Sequence, residues 1–281
     1  MLKTFSETLS EANGAVGCFN IVDLGMAQAV AAAAEQEGAP AIIGVAARHW
    51  RAIDGAVYAP SLRAIAERSS VPIALHLDHA GPDETGLIQE ALGVGFTSIM
   101  IDGSKLPFED NCAVTRRVVE LARPYNAGVE AELGAIAGEE GVAGLVDAGS
   151  DETMFTDPGM AQEFVKRCDI DALAVSIGTA HGLYKAEPKL QFELVSELRR
   201  RVSVPLVMHG ASGIPEEAVA ESVRRGIRKI NYFSGFLVEA MNEVRASGSE
   251  GDTDYPAFRN RLIARWTADA ADKIRLYSAG Q

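Results

Sequence analysis

The chain has 281 residues with 39 acidic and 26 basic side chains, which gives a net charge of −13. This balance argues against a nucleic-acid partner, since no basic patch could offset phosphate repulsion. The sequence contains no signal-peptide pattern and no apolar stretch of about 18 residues, so we expect no membrane association. Three separated cysteines, Cys18, Cys112 and Cys168, favour reduced, mostly buried thiols and a cytoplasmic protein over a disulfide framework.

Short apolar runs recur along the chain and are separated by segments with helical spacing, such as PSLRAIAERSS and PKLQFELVSELRRR. The runs lie at residues 15–21, 39–45, 72–78, 98–104, 128–134, 172–178, 205–211 and 227–233. Continuous apolar strands that alternate with amphipathic helices indicate a parallel sheet buried on both faces.

Eight such units predict an α/β protein with a (β/α)8 barrel, the TIM-barrel architecture. The main alternative is a doubly wound open sheet, but the GxGxxG pattern usual after its first strand is absent. We expect a single barrel domain over 1–281, in which 246–281 forms a flexible acidic connector (246–254) and a last helix. The longest irregular segment, 134–157, is glycine-rich and predicts a functional lid or a disordered loop.

Polar residues interrupt the apolar pattern where the predicted strands end, which is where barrel enzymes carry their chemistry. These residues are Asn20, Asp78, His79, Asp102, Ser104, Glu132, His181, His209, Ser212, Asn231 and Ser234. Three imidazoles from three strand ends, those of His79, His181 and His209, would leave an open coordination position, as in a catalytic zinc site. The alternative is that each histidine merely satisfies hydrogen bonds in the barrel interior.

The stretch IALHLDHA at 73–80 contains two histidines and an aspartate. Residues two apart on a strand share a face, so His76 and Asp78 point together, whereas His79 is offset towards the loop. We therefore assign His79 to the metal and His76 to a supporting or core position. Asp78 could orient an imidazole or carry a proton.

Further carboxylates lie at the predicted strand ends and in the glycine-rich loop. Asp102 and Glu132 each interrupt an apolar strand, and a cation at the barrel mouth would balance their charge. The alternative is an ion pair inside the barrel, for example with Lys229. Glu139 and Glu140 would be solvated by default, but a closing loop could deliver one of them as a base.

Two glycine-rich turns, in GTAHGLYK and MHGASGIPEEAV, follow the sixth and seventh predicted strands. Backbone amides in such turns bind anions, and the loops after strands 7 and 8 are the usual phosphate site of such a barrel. Lys185 adds a positive charge. Alternatively, these are ordinary connecting turns with a solvated lysine.

In combination, these stretches resemble the class II (zinc-dependent) ketose-bisphosphate aldolases, which include fructose- and tagatose-bisphosphate aldolases. AVGCFNI, IALHLDHA, SIMIDGS, VEAELGAIAGEEG, TMFTDP, SIGTAHGLYK, LVMHGASGIP and, less well, KINYFS match in order and spacing from about residue 4 to 235. The resemblance implies reversible retro-aldol cleavage of a phosphorylated ketose to dihydroxyacetone phosphate and an aldehyde through a zinc-stabilised enediolate.

The resemblance also assigns residues. His79, His181 and His209 would hold Zn²⁺ (or Co²⁺ or Mn²⁺), and Asp102 and Glu132 would contact a displaced metal. Asp78 would exchange a proton with the hydroxyl, and Glu140 would remove the proton from the ketose phosphate donor. The substrate- and phosphate-binding set is Asn20, Gly182, Lys185, Gly210, Ser212, Asn231 and Ser234, with a monovalent cation (Na⁺ or K⁺) assisting. Family members are commonly homodimers or homotetramers.

Two departures from the family pattern leave the substrate open. Strand 8 continues Asn231-Tyr232-Phe233-Ser234-Gly235 instead of ending in a threonine and an acid, and strand 2 ends GVAARH without a serine near Ala46. The alternatives are therefore an altered-specificity member, a non-catalytic binding subunit, and, less well supported, a metal-dependent barrel hydrolase. Such hydrolases usually carry HxH on strand 1, which here reads VGCFNIV.

Overall fold

The computed structural model describes residues 1–138, 145–147, 154–250 and 254–279, with side chains up to 248 in the third range. Within these ranges eight parallel strands close into a barrel, in the spatial order β1-β10-β9-β7-β5-β4-β3-β2. The barrel strands are β1 (Val16–Asn20), β2 (Ala41–Ala46), β3 (Ile73–Ala80), β4 (Ser98–Ile101), β5 (Gly128–Leu133), β7 (Ala172–Val175), β9 (Leu206–Met208) and β10 (Ile227–Tyr232). β6 (Leu145–Val146) and β8 (Leu183–Tyr184) pair separately. The predicted (β/α)8 barrel is confirmed, and each predicted apolar run overlaps one barrel strand.

Helices surround the barrel and alternate with its strands. They are α1 (Phe5–Ser10), α2 (Leu24–Glu37), α3 (Ala47–Ala52), α4 (Gly55–Arg68), α5 (Thr85–Gly93), α6 (Phe108–Ala122), α7 (Pro158–Cys168), α8 (Phe192–Arg201), α9 (Glu216–Arg225), α10 (Ser234–Glu250) and α11 (Tyr255–Ser278). Their starts follow the sequence signals: Asp157 Oδ1 accepts from Met160 N at 2.8 Å, with Pro158 at the first helical position.

The connector predicted over 246–254 is wrong for residues 246–250, because α10 continues to Glu250. The polar, glycine-containing composition suggested a flexible segment, but neighbouring side chains stabilise the helix. Within this stretch Ser247 Oγ accepts from Arg261 Nη2 of α11 at 3.1 Å, and one turn earlier Glu243 Oε1 accepts from Arg261 Nε at 2.7 Å. Tertiary ion pairs of this kind override local propensity. Residues 251–253 lie outside the described residues, as do 139–144 and 148–153 of the predicted loop 134–157.

The three cysteines agree with the expectation of reduced, mostly buried thiols. Cys18, Cys112 and Cys168 are buried free thiols. In the described part of the chain, no helix combines the length and the apolar character needed to cross a bilayer.

Helix α1 closes the amino-terminal end of the barrel. Phe5 is fully buried and belongs to an inner core with Val16, Ile42 and Met100. Its ring stacks on that of His76 with 5.9 Å between centroids. The short helix thus fills the floor beneath the polar residues of the barrel interior.

Removing this aromatic ring should destabilise the fold. We expect Phe5→Ala to lower the free energy of unfolding by about 3–5 kcal/mol, the usual cost of deleting a buried aromatic ring. Urea unfolding followed by circular dichroism measures the change. Tyr255→Ala, at a side chain that is 68% exposed, is the matched control and should shift stability by no more than about 0.5 kcal/mol. Equal shifts for the two variants would contradict the floor assignment.

Candidate active site

Three imidazole rings meet at the carboxyl end of the barrel. The ring centroids of His79 and His209 lie 4.7 Å apart, those of His79 and His181 4.8 Å, and those of His181 and His209 5.7 Å. One ring nitrogen from each lies within 4.8 Å of the others. The structure therefore brings together the three histidines that the sequence proposed as a metal-binding set.

Local backbone features place these rings. His79 adopts a left-handed conformation with φ of 51°, where the register of β3 with β4 shifts between Leu77 and Ala80. His181 is held by its backbone N–H, which donates to Ala137 O at 2.8 Å. Gly138 allows this approach, since a Cβ there would lie 2.5 Å from His181 O. The loop after β5 thus packs directly against the histidine cluster.

Carboxylates lie behind two of the rings. His79 Nδ1 is 3.2 Å from Asp102 Oδ2, and His209 Nε2 is 2.8 Å from Glu130 Oε1. A carboxylate that accepts a hydrogen bond from one ring nitrogen holds the imidazole proton on that nitrogen. The other ring nitrogen then keeps a lone pair that points away from the carboxylate. The facing nitrogens, His79 Nε2 and His209 Nδ1, are 2.9 Å apart. Two lone pairs at this distance repel unless a proton or a cation lies between them, so the donor set fits a divalent metal ion.

The electrostatics of the cluster also favour a cation. Burial alone would lower the pKa of His79, but Asp78 and Asp102 raise it to about 10. Burial, assisted by the charge of Asp102, raises the pKa of Glu132 to about 8. His181, by contrast, is buried beside two other imidazoles, and its pKa is well below the usual value. At neutral pH the positive charge that Asp78 and Asp102 favour is therefore a proton on His79, which a metal ion would have to displace.

Asp78 is fully buried directly beside this cluster. It accepts from Asn20 Nδ2 at 2.7 Å and from Asn231 Nδ2 at 3.1 Å, and His76 Nε2 lies 3.4 Å from it. Burial opposes its ionisation, yet the neighbouring His79 and His76 hold the pKa of Asp78 well below its usual range. The amides of Asn20 and Asn231, which the sequence assigned to substrate, therefore hold the side chain of Asp78.

Glu130 is a residue that the sequence interpretation missed. It lies two positions before Glu132 on β5, so both side chains face the barrel interior. The ion pair suggested between Asp102 and Lys229 is not present among the described residues. Lys229 Nζ pairs with Glu130 Oε2 at 2.8 Å, whereas Asp102 accepts from Ser104 and approaches His79. The repeated glutamate in VEAEL was the signal that could have identified this position.

The glycine-rich turns form a small pocket beside the cluster. It is lined by Gly182, Gly210, Ser212, Asn231, Phe233 and Ser234. Gly210 has a φ of 69°, and a Cβ there would lie 2.2 Å from Ala180 O, so the turn requires glycine. Tyr184 Oη donates to Gly210 O at 2.7 Å and thereby joins the two turns.

Lys185 does not line this pocket. Its Nζ pairs with Asp147 Oδ2 at 2.9 Å, and both side chains are largely exposed. The sequence placed Lys185 near the phosphate turns, but its side chain extends to the short β6–β8 sheet instead. Asn20, another member of the predicted binding set, does not line the pocket either, but it contacts Asp78.

Phe233 and Tyr232, the departures in strand 8, have different surroundings. Phe233 is 4% exposed, and its ring lies 5.0 Å from that of His49, so it forms an aromatic wall of the pocket. Tyr232 Oη donates to Asp269 Oδ2 in α11 at 2.8 Å. The sequence could not separate these two orientations, because they depend on partners in β2–α3 and α11.

A second cavity, of about 190 Å³, opens beside the histidines. His79, Asp102, Glu132, His181 and Gly138 form part of its wall. Two basic residues at its lining, Arg48 after β2 and Lys105 after β4, were not identified from the sequence. A single charge in the first turn of a short helix (Arg48) or in a turn (Lys105) has no pattern to mark it. Glu140, proposed as the second proton-transfer group, lies outside the described residues, two positions after Gly138.

Comparison with known proteins decides the family. Residues 1–280 match the family described as fructose-bisphosphate aldolase class-II. The chain belongs to this family. The aldolase family predicted from the sequence is thus confirmed, and with it the enzyme class, that of carbon–carbon lyases.

Individual relatives agree with this assignment over most of their length. The chain is 38% identical over 251 residues to a probable fructose-bisphosphate aldolase of Bacillus subtilis (strain 168), covering 88% of this chain and 86% of the relative. It is 40% identical over 236 residues to the fructose-bisphosphate aldolase of Geobacillus stearothermophilus, covering 82% and 80%. Among solved structures, the YdjI aldolase from Escherichia coli K12 superposes with a TM-score of 0.87 at 31% identity, covering 99% of this chain and 97% of that one.

The histidine cluster should bind one divalent ion per chain. We expect His79→Ala, His181→Ala and His209→Ala each to weaken Zn²⁺ binding by at least about tenfold, because each removes a converging nitrogen donor. Competition with a chromogenic chelator measures the affinity. His49→Gln is the control, since His49 lies outside the cluster, and it should bind as the parent does. Parental affinity in all three alanine variants would exclude this site.

Proposed function

We propose that this class II aldolase cleaves a phosphorylated ketose reversibly into dihydroxyacetone phosphate and an aldehyde, with Zn²⁺ held by His79, His181 and His209. The observation that carries the proposal is the 2.9 Å approach of His79 Nε2 to His209 Nδ1, with a carboxylate behind each ring. Co²⁺ and Mn²⁺ suit imidazole donors as well, and Asp102 and Glu132 would serve a displaced ion. When bound, the metal would act as a Lewis acid for the negative charge that develops on the substrate's carbonyl oxygen.

Asp78 is suited to the proton transfer at the hydroxyl group. Its low pKa means that the carboxylate is ionised before the substrate arrives and can accept the hydroxyl proton as the carbon–carbon bond breaks. Two amide donors, from Asn20 and Asn231, fix its orientation on a buried strand. Glu140, which the family resemblance assigns as the second proton-transfer group, would return a proton to the donor carbon.

The two hollows beside the histidines divide the substrate between them. The donor phosphate would bind the turns of Gly182, Gly210, Ser212 and Ser234, where a Na⁺ or K⁺ ion would offset part of its charge. The aldehyde half would extend into the cavity that contains Arg48 and Lys105. Basic groups at that end favour a ketose with a second anionic group, as in the fructose bisphosphate named for the relatives. Phe233 lines the pocket proposed for the donor phosphate, and its ring would restrict which donor fits there.

We further propose a homodimer or homotetramer in the cytoplasm. The buried free thiols fit a reducing compartment. Sedimentation velocity on the purified chain gives the subunit number directly.

Retro-aldol activity tests the proposed reaction. We expect the Zn²⁺-loaded chain to release a triose phosphate from a ketose bisphosphate, and a chelator to abolish the release. Asp78→Asn should lower kcat by about 10²–10⁴-fold, because it removes a general base while preserving the shape of the side chain. A coupled triose-phosphate assay measures turnover. Asp83→Asn, at an exposed loop position, is the control and should leave kcat unchanged. Turnover that survives both chelator and Asp78→Asn would disprove the mechanism.

The basic residues of the cavity should determine which aldehyde half is accepted. We expect Lys105→Ala and Arg48→Ala each to raise KM for a ketose bisphosphate about tenfold, since each removes a charge partner of the second phosphate. KM for the corresponding 1-phosphate, which lacks that group, should change less than twofold. Initial-rate measurements with both substrates make the comparison. An equal rise in KM for both substrates would place the two residues elsewhere in the reaction.

A further inference from the structure

Lys229 is a fully buried cation within β10, and the proposed reaction does not use it. It does not line the cavity or the phosphate pocket in the described part of the chain, so it cannot act as a Schiff-base nucleophile on a substrate bound there. A buried ammonium group is costly unless its charge and its hydrogen-bond donors are satisfied. Its contacts therefore indicate what it does.

On one side, Lys229 fixes the carboxylate of Glu130. Lys229 Nζ lies 2.8 Å from Glu130 Oε2, and the other oxygen, Oε1, lies 2.8 Å from His209 Nε2. The carboxylate is thus held at both oxygens, between an ammonium group and an imidazole. Because Lys229 occupies Oε2, Oε1 accepts from His209 Nε2, and the lone pair of His209 Nδ1 then faces His79 Nε2 at 2.9 Å.

On the other side, Lys229 orients an amide. Its Nζ donates to Asn231 Oδ1 at 2.6 Å, which fixes which end of the amide faces which neighbour. The Nδ2 group of Asn231 then donates to both carboxylate oxygens of Asp78, at 3.2 and 3.1 Å. The same amide nitrogen lies 3.2 Å from His209 Nδ1. Lys229 is thereby linked to His209 through Glu130 and to Asp78 through Asn231, with one intermediate side chain in each case.

We infer that Lys229 is a positioning residue that sets His209 for metal binding, through Glu130, and Asp78 for proton transfer, through Asn231. The inference rests on the proposed function of the site, and it adds a residue that touches neither metal nor substrate. A purely structural ion pair would stabilise the barrel equally well without affecting the metal. The two roles therefore differ in measurable ways.

The experiment compares the full-length parent with Lys229→Met and with the double variant Lys229→Met/Glu130→Gln. Replacing a buried ion pair by neutral groups of similar volume is usually tolerated in a core, so the double variant tests the geometry even if the single variant fails to fold. Lys166→Met, on the exposed surface of α7, is the matched control. Each variant is first checked for cooperative thermal unfolding. Co²⁺ affinity, the visible spectrum of bound Co²⁺ and kcat are then measured.

We expect the folded Lys229 variants to bind Co²⁺ about 10–100-fold more weakly than the parent, as for other disrupted carboxylate–histidine contacts. Their Co²⁺ spectrum should shift and their kcat should fall at least tenfold, whereas Lys166→Met should match the parent in every measurement. A folded variant with parental affinity and spectrum would overturn the inference. Failure of both variants to fold would also overturn it, since Lys229 would then serve stability alone. A parent that binds Co²⁺ but has no retro-aldol turnover would instead refute the proposed function.

Discussion

The first and last barrel strands, β1 and β10, lie side by side, with Cys18 opposite Asn231. This parallel register is the constraint on which the site depends, because it places the amides of Asn20 and Asn231 on the same carboxylate, that of Asp78. Closure also completes the ring of strand ends on which His79 and His209 meet. An open sheet with the same strands would present these groups along an edge instead of around one centre.

Charge compensation explains the arrangement of polar groups within the closed barrel. The interior contains its own cation, Lys229, which balances Glu130 deep in the barrel. Nearer the mouth, Asp102 and Glu132 lie beside His79, and these three side chains form a second potential cation-binding group. The ammonium group of Lys229 thus neutralises Glu130 deep in the barrel. Asp102 and Glu132, nearer the mouth, surround the position proposed for a metal ion. Buried carboxylates are stable only with such partners.

Much of this architecture follows from the sequence, since alternating apolar strands and helices specify a parallel barrel and strand ends specify where polar residues converge. The meeting of His79, His181 and His209 was predictable for that reason. Tertiary partners were not predictable from local pattern. Glu130 pairs with a lysine on a distant strand, Lys185 reaches Asp147 in another loop, and Glu243 of α10 pairs with arginines of α11. In each case a long side chain could pair with several partners, and the partner it has depends on which residues the folded chain brings close to it.

The contacts that close the barrel join the first strand to segments that are synthesised last. β10 and α11, which flank β1, emerge from the ribosome after every other barrel strand, and Ala15 N donates to Tyr277 O at 3.0 Å. Until those segments have left the exit tunnel, the nascent β1 has an unpaired edge made of apolar residues. Such edges favour aggregation, and pairings between distant parts of a chain form slowly. The amides of Asn20 and Asn231 can therefore meet on Asp78 only after β10 has been synthesised and has paired with β1.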